Sequence, residues 1–236
     1  MQFPRVFTGI DMALTLVIGN KTYSSWSLRA WLALRQTGAP FQEIRLALDT
    51  PEFARDIGRW SPSRRVPALQ DDDVLVWESL AIGEYLAERF PAAQLWPADP
   101  STRAYGRAIS HEMHAGFPDL RNCLPFNARR QYRGFTVPTQ AQADIARIGA
   151  IWREARQRYG AAGPWLLGGF SLADAMYAPV ALRFHTYGVA VGAVEQAYID
   201  TVLAHPPIQE WLAASRAETE VLPHEEQFDS TGEQVP

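Results

Sequence analysis

The sequence predicts an α/β domain with the element order β-α-β-α-β-β-α, followed by an all-helical domain. Strand-like and helix-like apolar patterns alternate up to residue 91. Beyond the stretch Pro91–Thr102, which contains three prolines, only helical spacing recurs. We therefore expect domains at residues 13–91 and 101–222, with residues 1–12 and 223–236 as tails.

The α/β half begins with Leu14–Ile18, a short apolar run with β-branched residues that predicts a buried strand. Ser24 and Ser25 offer an N-cap to the next helix. The apolar stripe of that helix comprises Leu28, Trp31 and Leu32. Gly38 is expected to end the helix, and Phe41–Leu46 is predicted to form the second strand.

The rest of this half contains a predicted hairpin between two helical segments. Pro51–Arg59 is expected to be a short helix or an irregular segment. Ala68–Gln70 and Val74–Trp77 are strand-like runs separated by three aspartates, which indicates a hairpin with a polar turn. Ser79 begins the last predicted helix of the domain.

The second half has apolar residues at helical spacing. Three sets show it: Ile109, Met113, Gly116 and Leu120; Ile145, Ile148, Trp152, Ala155 and Tyr159; and Ile208, Trp211 and Leu212. Ser171 and Asp174 have the spacing of a capping box, which predicts the start of a core helix. We expect Pro223–Pro236 to form a loose tail.

Composition and charge exclude several classes of protein. The net charge of −4 and pI of about 5.8 leave no basic surface for nucleic acid. The single cysteine, Cys123, excludes an intramolecular disulfide and a CxxC redox pair, which suits a cytoplasmic location. The apolar run near the start is too short to span a membrane, and residues 1–11 lack the pattern of a signal peptide. Met12 directly precedes the first strand, so residues 1–11 are interpreted as an extension or a misassigned start.

Four short stretches carry a resemblance to a known family. They are Tyr23–Arg29 (YSSWSLR), Arg65–Leu69 (RVPAL), Glu78–Ile82 (ESLAI) and Ser171–Asp174 (SLAD). In this order and spacing, with a helical second half, they resemble the serine-type cytosolic glutathione transferases, closest to the zeta class and its bacterial relatives. The resemblance extends over about residues 13–220. It implies a thioredoxin-like first domain, the family's helical second domain, glutathione as co-substrate and a homodimer.

Ser24 is the candidate catalytic residue. Lowering a thiol pKa from about 8.5 to about 6.5 takes roughly 2.7 kcal/mol of preference for the thiolate. A helix N-terminus contributes up to about 2 kcal/mol, and a hydrogen bond to a charged acceptor contributes roughly 1.5–3 kcal/mol. A hydroxyl in a loop that enters a helix can combine the hydrogen bond with the effect of the helix N-terminus. A helix-capping role alone would also explain the serine pair. By resemblance, Ser24 activates the sulfur, and Ser25 and Trp26 are neighbouring glutathione-site positions; zeta enzymes have cysteine in place of Trp26.

The resemblance also implies how glutathione is held. The Val66–Pro67 bond would be cis, although the residues alone favour trans, and the Val66 backbone would pair with the cysteinyl unit. Glu78 would bind the γ-glutamyl ammonium group, and Ser79 with the helix N–H groups would bind the neighbouring carboxylate. Without that context Glu78 and Ser79 would be interpreted as a helix start. Zeta enzymes have glutamine where Glu78 stands.

Two arginines and a glutamate are open candidates near the glycyl end. Arg64 and Arg65 precede Val66 and could attract the glycyl carboxylate or form solvated surface. Glu52 occupies a place where zeta enzymes have a glutamine contact. An acidic group there would repel the glycyl end unless it points away.

The pocket for the second substrate is less defined. His114, Asn122 and Arg183 are its candidate residues, and Arg183 is alternatively expected to form a structural salt bridge. No metal site is expected, because His111 and His114 have no third ligand at helpful spacing.

The leading functional hypothesis is a cytoplasmic glutathione transferase of the detoxification type that adds the glutathione thiolate to a small electrophile. One alternative is a zeta-like cis–trans isomerase of an unsaturated diketo acid. Trp26 and Pro118, which stand where zeta enzymes have cysteine and glutamine, count mildly against it. Another is a non-catalytic interaction protein on the same fold. Neither nucleic acid nor membrane is an expected partner.

Overall fold

Four short strands form one mixed sheet near the start of the chain. The computed structural model describes residues 14–226 and 233–235. In it β1 (Leu14–Ile18) runs parallel to β2 (Gln42–Arg45) and antiparallel to β3 (Ala68–Asp71). β3 pairs with β4 (Val74–Trp77), which gives the strand order β2-β1-β3-β4. All five residues of β1 are buried, as its continuous apolar run predicts.

Three helices complete the α/β half and confirm its predicted element order. α1 spans Ser25–Thr37 and ends at Gly38, whose φ of 71° is the left-handed conformation that glycine favours. α2 spans Pro51–Asp56 and continues as a 3₁₀ turn, and α3 spans Ser79–Arg89. The predicted strand at Phe41–Leu46 is shorter than expected.

The second half is helical and is built around one buried helix. Its helices are α4 (Pro100–Ala115), α5 (Pro118–Cys123), α6 (Gln142–Tyr159), α7 (Leu172–Tyr187), α8 (Ala193–Ala204) and α9 (Pro206–Ala217). Every residue of α7 except His185 is buried. The predicted capping box of Ser171 and Asp174 is present at its start.

One sequence-based prediction for this half needs correction. The spacing that runs through Gly116 does not mark one helix, because Phe117 adopts a left-handed conformation (φ 59°) and Pro118 starts α5. The stretch Pro91–Thr102 contains a 3₁₀ turn at Pro91–Ala93 and the first residues of α4.

The helical half also contains a strand pair that was not predicted. β5 (Gln131–Arg133) pairs antiparallel with β6 (Glu233–Val235). Within the expected tail, Pro223–Glu225 forms a 3₁₀ turn, and the buried Glu226 follows it. The predictions for residues 1–12 lie outside the described residues, and the predicted domain boundaries stay predictions.

The two halves share one hydrophobic core. The Trp31 ring of α1 meets the Trp211 ring of α9 edge to face, with centroids 5.3 Å apart. Trp211 Nε1 also donates to the Lys21 carbonyl at 2.8 Å. No helix among the described residues combines the length and apolar composition that crossing a bilayer requires.

Candidate functional site

An open cavity of about 330 Å³ lies where the α/β half meets α4. Its lining residues are Trp26, Ser63, Arg65, Val66, Pro67, Glu78, Ser79 and His114. Six of these were predicted as site residues from the sequence: Trp26, Arg65, Val66, Glu78, Ser79 and His114. Segments distant in the chain, from the start of α1 to the end of α4, therefore converge on one cavity.

The start of α3 gives the cavity a carboxylate and a free hydroxyl. Glu78 directly precedes α3, and its left-handed backbone (φ 72°) makes a sharp turn between β4 and the helix. Its carboxylate is exposed and accepts no cap hydrogen bond. Ser79 is buried, and its Oγ has no hydrogen-bond partner. An unpartnered buried hydroxyl beside the free N–H groups of a helix start is suited to bind a carboxylate.

The segment before β3 forms the opposite part of the lining. The Val66–Pro67 peptide bond is cis, which confirms the prediction made from the resemblance. Arg65 lines the cavity, whereas the Arg64 guanidinium donates to the Ala54 carbonyl of α2 and lies outside the lining. Glu52 is exposed in the first turn of α2 and is not a lining residue either.

The serine pair lies at the start of α1 but does not line the cavity. Ser24 is the N-cap of α1: its Oγ accepts from Ser27 N at 3.3 Å and donates to Ser27 Oγ at 2.7 Å. Ser27 Oγ accepts in turn from Gly19 N at 3.0 Å. Ser25 is the first helical residue and is largely buried, and its hydroxyl has no hydrogen-bond partner within residues 14–226. Ser24 thus fulfils the capping role, with its donor directed at Ser27 in this conformation.

His114 and Trp26 form the wall nearest the helical half. The two rings meet edge to face with centroids 5.3 Å apart, and His114 Nε2 lies 3.8 Å from Glu78 Oε2. Burial lowers the pKa of His114 below its usual value of 6.5; Glu78 opposes this, and the positive charges of Arg29 and Arg121 add to it. His114 is therefore neutral at physiological pH.

Two arginines that lie beside Trp26 were not predicted as site residues from the sequence. The Arg29 and Arg121 guanidinium carbons lie 4.1 and 5.7 Å from the centre of the Trp26 ring. Arg29 is part of the motif YSSWSLR, and that motif was the only sequence feature that placed it near the site. Its position on a helix gave no such indication, because an arginine on a helix is usually solvated. Ser63 also lines the cavity without having been singled out.

The other two candidate residues for the second-substrate pocket, Asn122 and Arg183, do not line this cavity. Asn122 is exposed, and Arg183 is buried within α7. The prediction of a structural salt bridge for Arg183 is wrong for the described residues. Arg183 Nε donates to the Leu124 carbonyl at 2.8 Å, and no described carboxylate lies at ion-pair distance from its guanidinium group. A second-substrate role for Asn122 and Arg183 stays a prediction. No group of His, Cys, Asp or Glu side chains among the described residues is arranged to hold a metal ion.

Comparisons with known proteins agree with this geometry. One family model, described as the glutathione S-transferase N-terminal domain, matches residues 23–89, and the C-terminal domain model matches residues 138–214. Together these ranges cover more than half of the chain. Among solved structures, a glutathione transferase homologue from Burkholderia with bound glutathione is similar, with a TM-score of 0.65 and 26% identity over 87% of this chain and 98% of its own.

Two curated relatives are isomerases. Maleylacetoacetate isomerase of Rattus norvegicus is 37% identical over 99 residues, which are 42% of this chain and 46% of that relative. This match therefore spans a little under half of the rat protein's length. Maleylacetoacetate isomerase of Pseudomonas aeruginosa is 29% identical over 204 residues, which are 84% of this chain and 95% of that relative.

Proposed function

Since the chain belongs to the glutathione S-transferase family, we propose that it binds glutathione in the cavity at the start of α3 and activates its thiol for addition to a small electrophile. The observation that carries this proposal is the buried Ser79 hydroxyl, which lacks a partner and lies beside the exposed Glu78 carboxylate. Such a pair fits the carboxylate and ammonium groups of one γ-glutamyl unit.

The γ-glutamyl end would be held by charge complementarity. The Glu78 carboxylate would accept from the ammonium group. The Ser79 hydroxyl and the first N–H groups of α3 would donate to the carboxylate, helped by the positive end of the helix dipole. A neutral His114 at 3.8 Å leaves the Glu78 carboxylate free to bind this ammonium.

The remainder of the tripeptide would follow the cavity towards α1. The Val66 backbone would pair with the cysteinyl unit in the manner of an added strand. Arg65, and not Arg64, is the arginine placed to attract the glycyl carboxylate, because only Arg65 lines the cavity. The sulfur would then reach the start of α1.

Thiolate stabilisation would come from the Ser24 hydroxyl and the dipole of α1. For Ser24 to donate to the sulfur, its hydroxyl hydrogen must turn away from Ser27 Oγ, while its oxygen can keep accepting from Ser27 N. The Ser25 hydroxyl has no such competing bond. We assign Ser24 as the activating serine, with Ser25 as a neighbouring glutathione contact.

Paired serine variants test this assignment. Ser24→Gly removes the hydroxyl yet costs only a few tenths of a kcal/mol as a helix cap, whereas Ser24→Ala also loses about 1 kcal/mol of stability. Both should raise the pKa of bound glutathione, measured by thiolate absorbance, by about 1–2, because a hydrogen bond to a charged acceptor is lost. Ser25→Ala is the matched control and should change it little. An unchanged thiol pKa in both Ser24 variants would remove Ser24 from the mechanism.

A second candidate function is glutathione-dependent cis–trans isomerisation of an unsaturated diketo acid. The observation that favours it is the similarity to two maleylacetoacetate isomerases. In isomerisation glutathione adds, the bond rotates, and glutathione leaves unchanged. Turnover with a trace of glutathione would therefore support isomerisation, and stoichiometric loss of the free thiol would support transfer.

A non-catalytic interaction protein on this fold is the remaining alternative. It predicts no retention on a glutathione-affinity column and no thiolate absorbance. The polar groups of the cavity favour the enzyme, because an interaction protein has no need of the Glu78 and Ser79 arrangement.

We further propose a cytoplasmic homodimer with a detoxification role. The dimer is supported by the edge strand β4, on which Val74 and Trp77 are 46% and 42% exposed. Large exposed apolar side chains on an open sheet edge favour association. Light scattering of the native protein and of Trp77→Lys tests this: the native protein should be dimeric and the variant more monomeric.

A further inference from the structure

A second cavity lies where α7 and α9 meet the segment that leads into β5, and we call it the basic cavity. Its polar lining includes Arg130 and Gln131 from that segment, His185 from α7 and Arg216 from α9. His185 and Arg216 are exposed, so the basic cavity opens to solvent. It shares no described lining residue with the glutathione cavity, and it is therefore a separate site.

The lining of the basic cavity carries positive charge. Arg129, Arg130 and Arg216 line it together with His185, and no aspartate or glutamate belongs to the part of the lining that the structure describes. A cavity lined by charges of one sign concentrates their field and attracts ions of the opposite sign. The basic cavity is therefore suited to an anion.

Two of these arginines have hydrogen-bond donors to spare. Within residues 14–226, neither the Arg130 nor the Arg216 guanidinium group donates a hydrogen bond. Arg130 Nε is buried, whereas its Nη atoms are accessible to solvent. Arg129 differs, because its Nη atoms already donate to two carbonyl groups and to a tyrosine hydroxyl. Arg130 and Arg216 are thus the groups that can bind a ligand.

One carboxylate offsets part of the charge. The buried Glu226 is shared by two arginines, since its Oε1 lies 3.4 Å from Arg129 Nη2 and its Oε2 lies 3.7 Å from Arg130 Nε. The longer distance is an ion pair and not a hydrogen bond. No described carboxylate lies at ion-pair distance from Arg216. One carboxylate therefore faces three arginines.

The other carboxylates of this region are engaged elsewhere. Glu218 and Glu220 offer Arg129 only their backbone carbonyls, and their carboxylates pair with an arginine of β2. Burial lowers the pKa of His185; the charge of Asp200 opposes this, although Asp200 forms no ion pair with it and does not line the cavity. The positive charge of the basic cavity is thus available to a ligand.

The basic cavity has room for a small oxyanion. Its volume is about 110 Å³, whereas one water molecule needs about 10–15 Å³ in the same measure. A phosphate group presents three strong acceptor oxygens and can accept from several elements at once. Guanidinium groups match phosphate oxygens through paired N–H donors. A carboxylate has fewer oxygens to share between two arginines from separate elements.

We propose that the basic cavity binds the phosphate group of a small ligand, either inorganic phosphate or a phosphomonoester. The Arg130 Nη atoms and the Arg216 guanidinium group donate to the phosphate oxygens. The Gln131 amide and the His185 ring supply further N–H donors. The bound phosphate joins α9 to the segment that leads into β5.

Calorimetric titration of the intact chain with inorganic phosphate tests the site. The titration is done at pH 7 without glutathione, at a constant ionic strength set with sodium chloride. Arg216→Met should weaken phosphate binding by roughly tenfold or more, because a hydrogen bond to a charged acceptor is lost. The variant should fold normally, since Arg216 is exposed and has no described partner. Arg130→Met should weaken binding to a similar extent.

Two control variants separate the site from a general effect of charge. Arg133→Met removes the same charge from an exposed position on β5 outside the lining, and Arg65→Met removes an arginine from the glutathione cavity. Both should bind phosphate within about twofold of the native protein, because distant exposed charges are screened by salt. The proposal is overturned if the native protein binds no phosphate up to about 10 mM. It is also overturned if either control loses as much affinity as Arg216→Met.

Glycerol 3-phosphate distinguishes the two sources of the phosphate group. A site for phosphomonoesters should bind it at least as tightly as inorganic phosphate, since the basic cavity opens to solvent beside His185 and Arg216. A site for free phosphate should bind it more weakly. Either order upholds the site, provided that Arg216→Met weakens the tighter ligand. These titrations need neither glutathione nor an electrophile, so they stand even if the proposed function fails.

Discussion

His114 lies beside the carboxylate that we assign to the ammonium group of glutathione. Its Nε2 is 3.8 Å from Glu78 Oε2, and burial keeps its pKa below 6.5. A group whose pKa is lowered in the folded protein resists protonation until the pH falls below its ordinary value. Neutral at pH 7, His114 becomes a competing cation for Glu78 in acid.

Glutathione binding should therefore weaken as the pH falls below 6.5, and the loss should approach fivefold once His114 is protonated, for a competing charge worth about 1 kcal/mol. S-methylglutathione is the probe for calorimetry, since it lacks the thiol whose own ionisation would obscure the effect. His114→Gln should bind this probe with nearly constant affinity across the range. Equal pH dependence in both proteins would contradict the assigned role of His114.

The lining residues differ in how far the sequence could predict them. Glu78, Ser79 and Val66 were predictable because their roles depend on backbone positions that the motifs fix locally. Which of Arg64 and Arg65 lines the cavity was not predictable, since it depends on the positive φ of Arg64 and on the hydrogen bond from its guanidinium group to the Ala54 carbonyl. The partnership of Ser24 with Ser27 also depends on side-chain conformations that a sequence does not specify.

The buried start of α7 depends on one carboxylate. Asp174 accepts from the backbone N–H groups of Leu166 and Ser171 at 3.0 and 2.9 Å. It also accepts from the hydroxyls of Ser171 and Tyr198 at 3.0 and 3.1 Å. All four partners are donors, so the side chain at this position must offer acceptors on both of its terminal atoms.

Asp174→Asn should destabilise the protein by about 2–4 kcal/mol, because its NH₂ group would face donors and leave buried polar groups unsatisfied. Ser171→Ala removes one donor and should cost only about 1 kcal/mol. Urea unfolding followed by circular dichroism measures both. If the asparagine variant were as stable as the alanine variant, this account of the carboxylate would be wrong.

The loop between β1 and α1 is held by the end of α9. Glu218 accepts from Lys21 N at 2.7 Å, Thr22 N at 2.9 Å and the Thr22 hydroxyl at 2.8 Å. The Thr22 carbonyl accepts from Ala128 N at 2.9 Å. The backbone that leads into Ser24 is thus positioned by the helical half.

Glu218→Gln should lower stability by about 1–3 kcal/mol, because its amide nitrogen would face one of the backbone donors. It should also reduce kcat with any electrophile the enzyme accepts, since the loop carries Ser24. Glu220→Gln is the control: its carboxylate pairs with the exposed Arg45, so the loss should be at most about 1 kcal/mol. Equal losses in the two variants, measured by urea unfolding, would show that Glu218 does not position the loop.

Regular elements were predicted more completely than their interruptions. β1, α1 and the β3–β4 hairpin follow from local patterns of apolar and turn residues. The break before α5 was obscured because Gly116 and Leu120 continue the spacing, although Pro118 was a stop signal. The pairing of β5 with β6 could not be predicted, since each has three residues and about a hundred residues separate them.

The two halves of the molecule depend on each other for burial. One face of α1 packs within the α/β half, and the rest of it meets α7 and α9, so its first ten residues are all buried except Trp26. For this reason, an amphipathic helix pattern could not predict that the Arg29 side chain is buried. A helix enclosed on all sides has no solvated face to accommodate a charge.

The shared core predicts that both halves unfold in one transition. Trp211 of α9 contacts Trp31 and donates to the Lys21 carbonyl, so a defect there removes contacts from both halves at once. Trp211→Phe should cost about 1–3 kcal/mol, because the Lys21 carbonyl loses its buried donor. Hydrogen exchange should report the same loss for peptides from α3 and from α7, since neither half keeps its core when the other opens. Peptides from α3 that kept their native protection while those from α7 lost it would mean that the halves unfold separately.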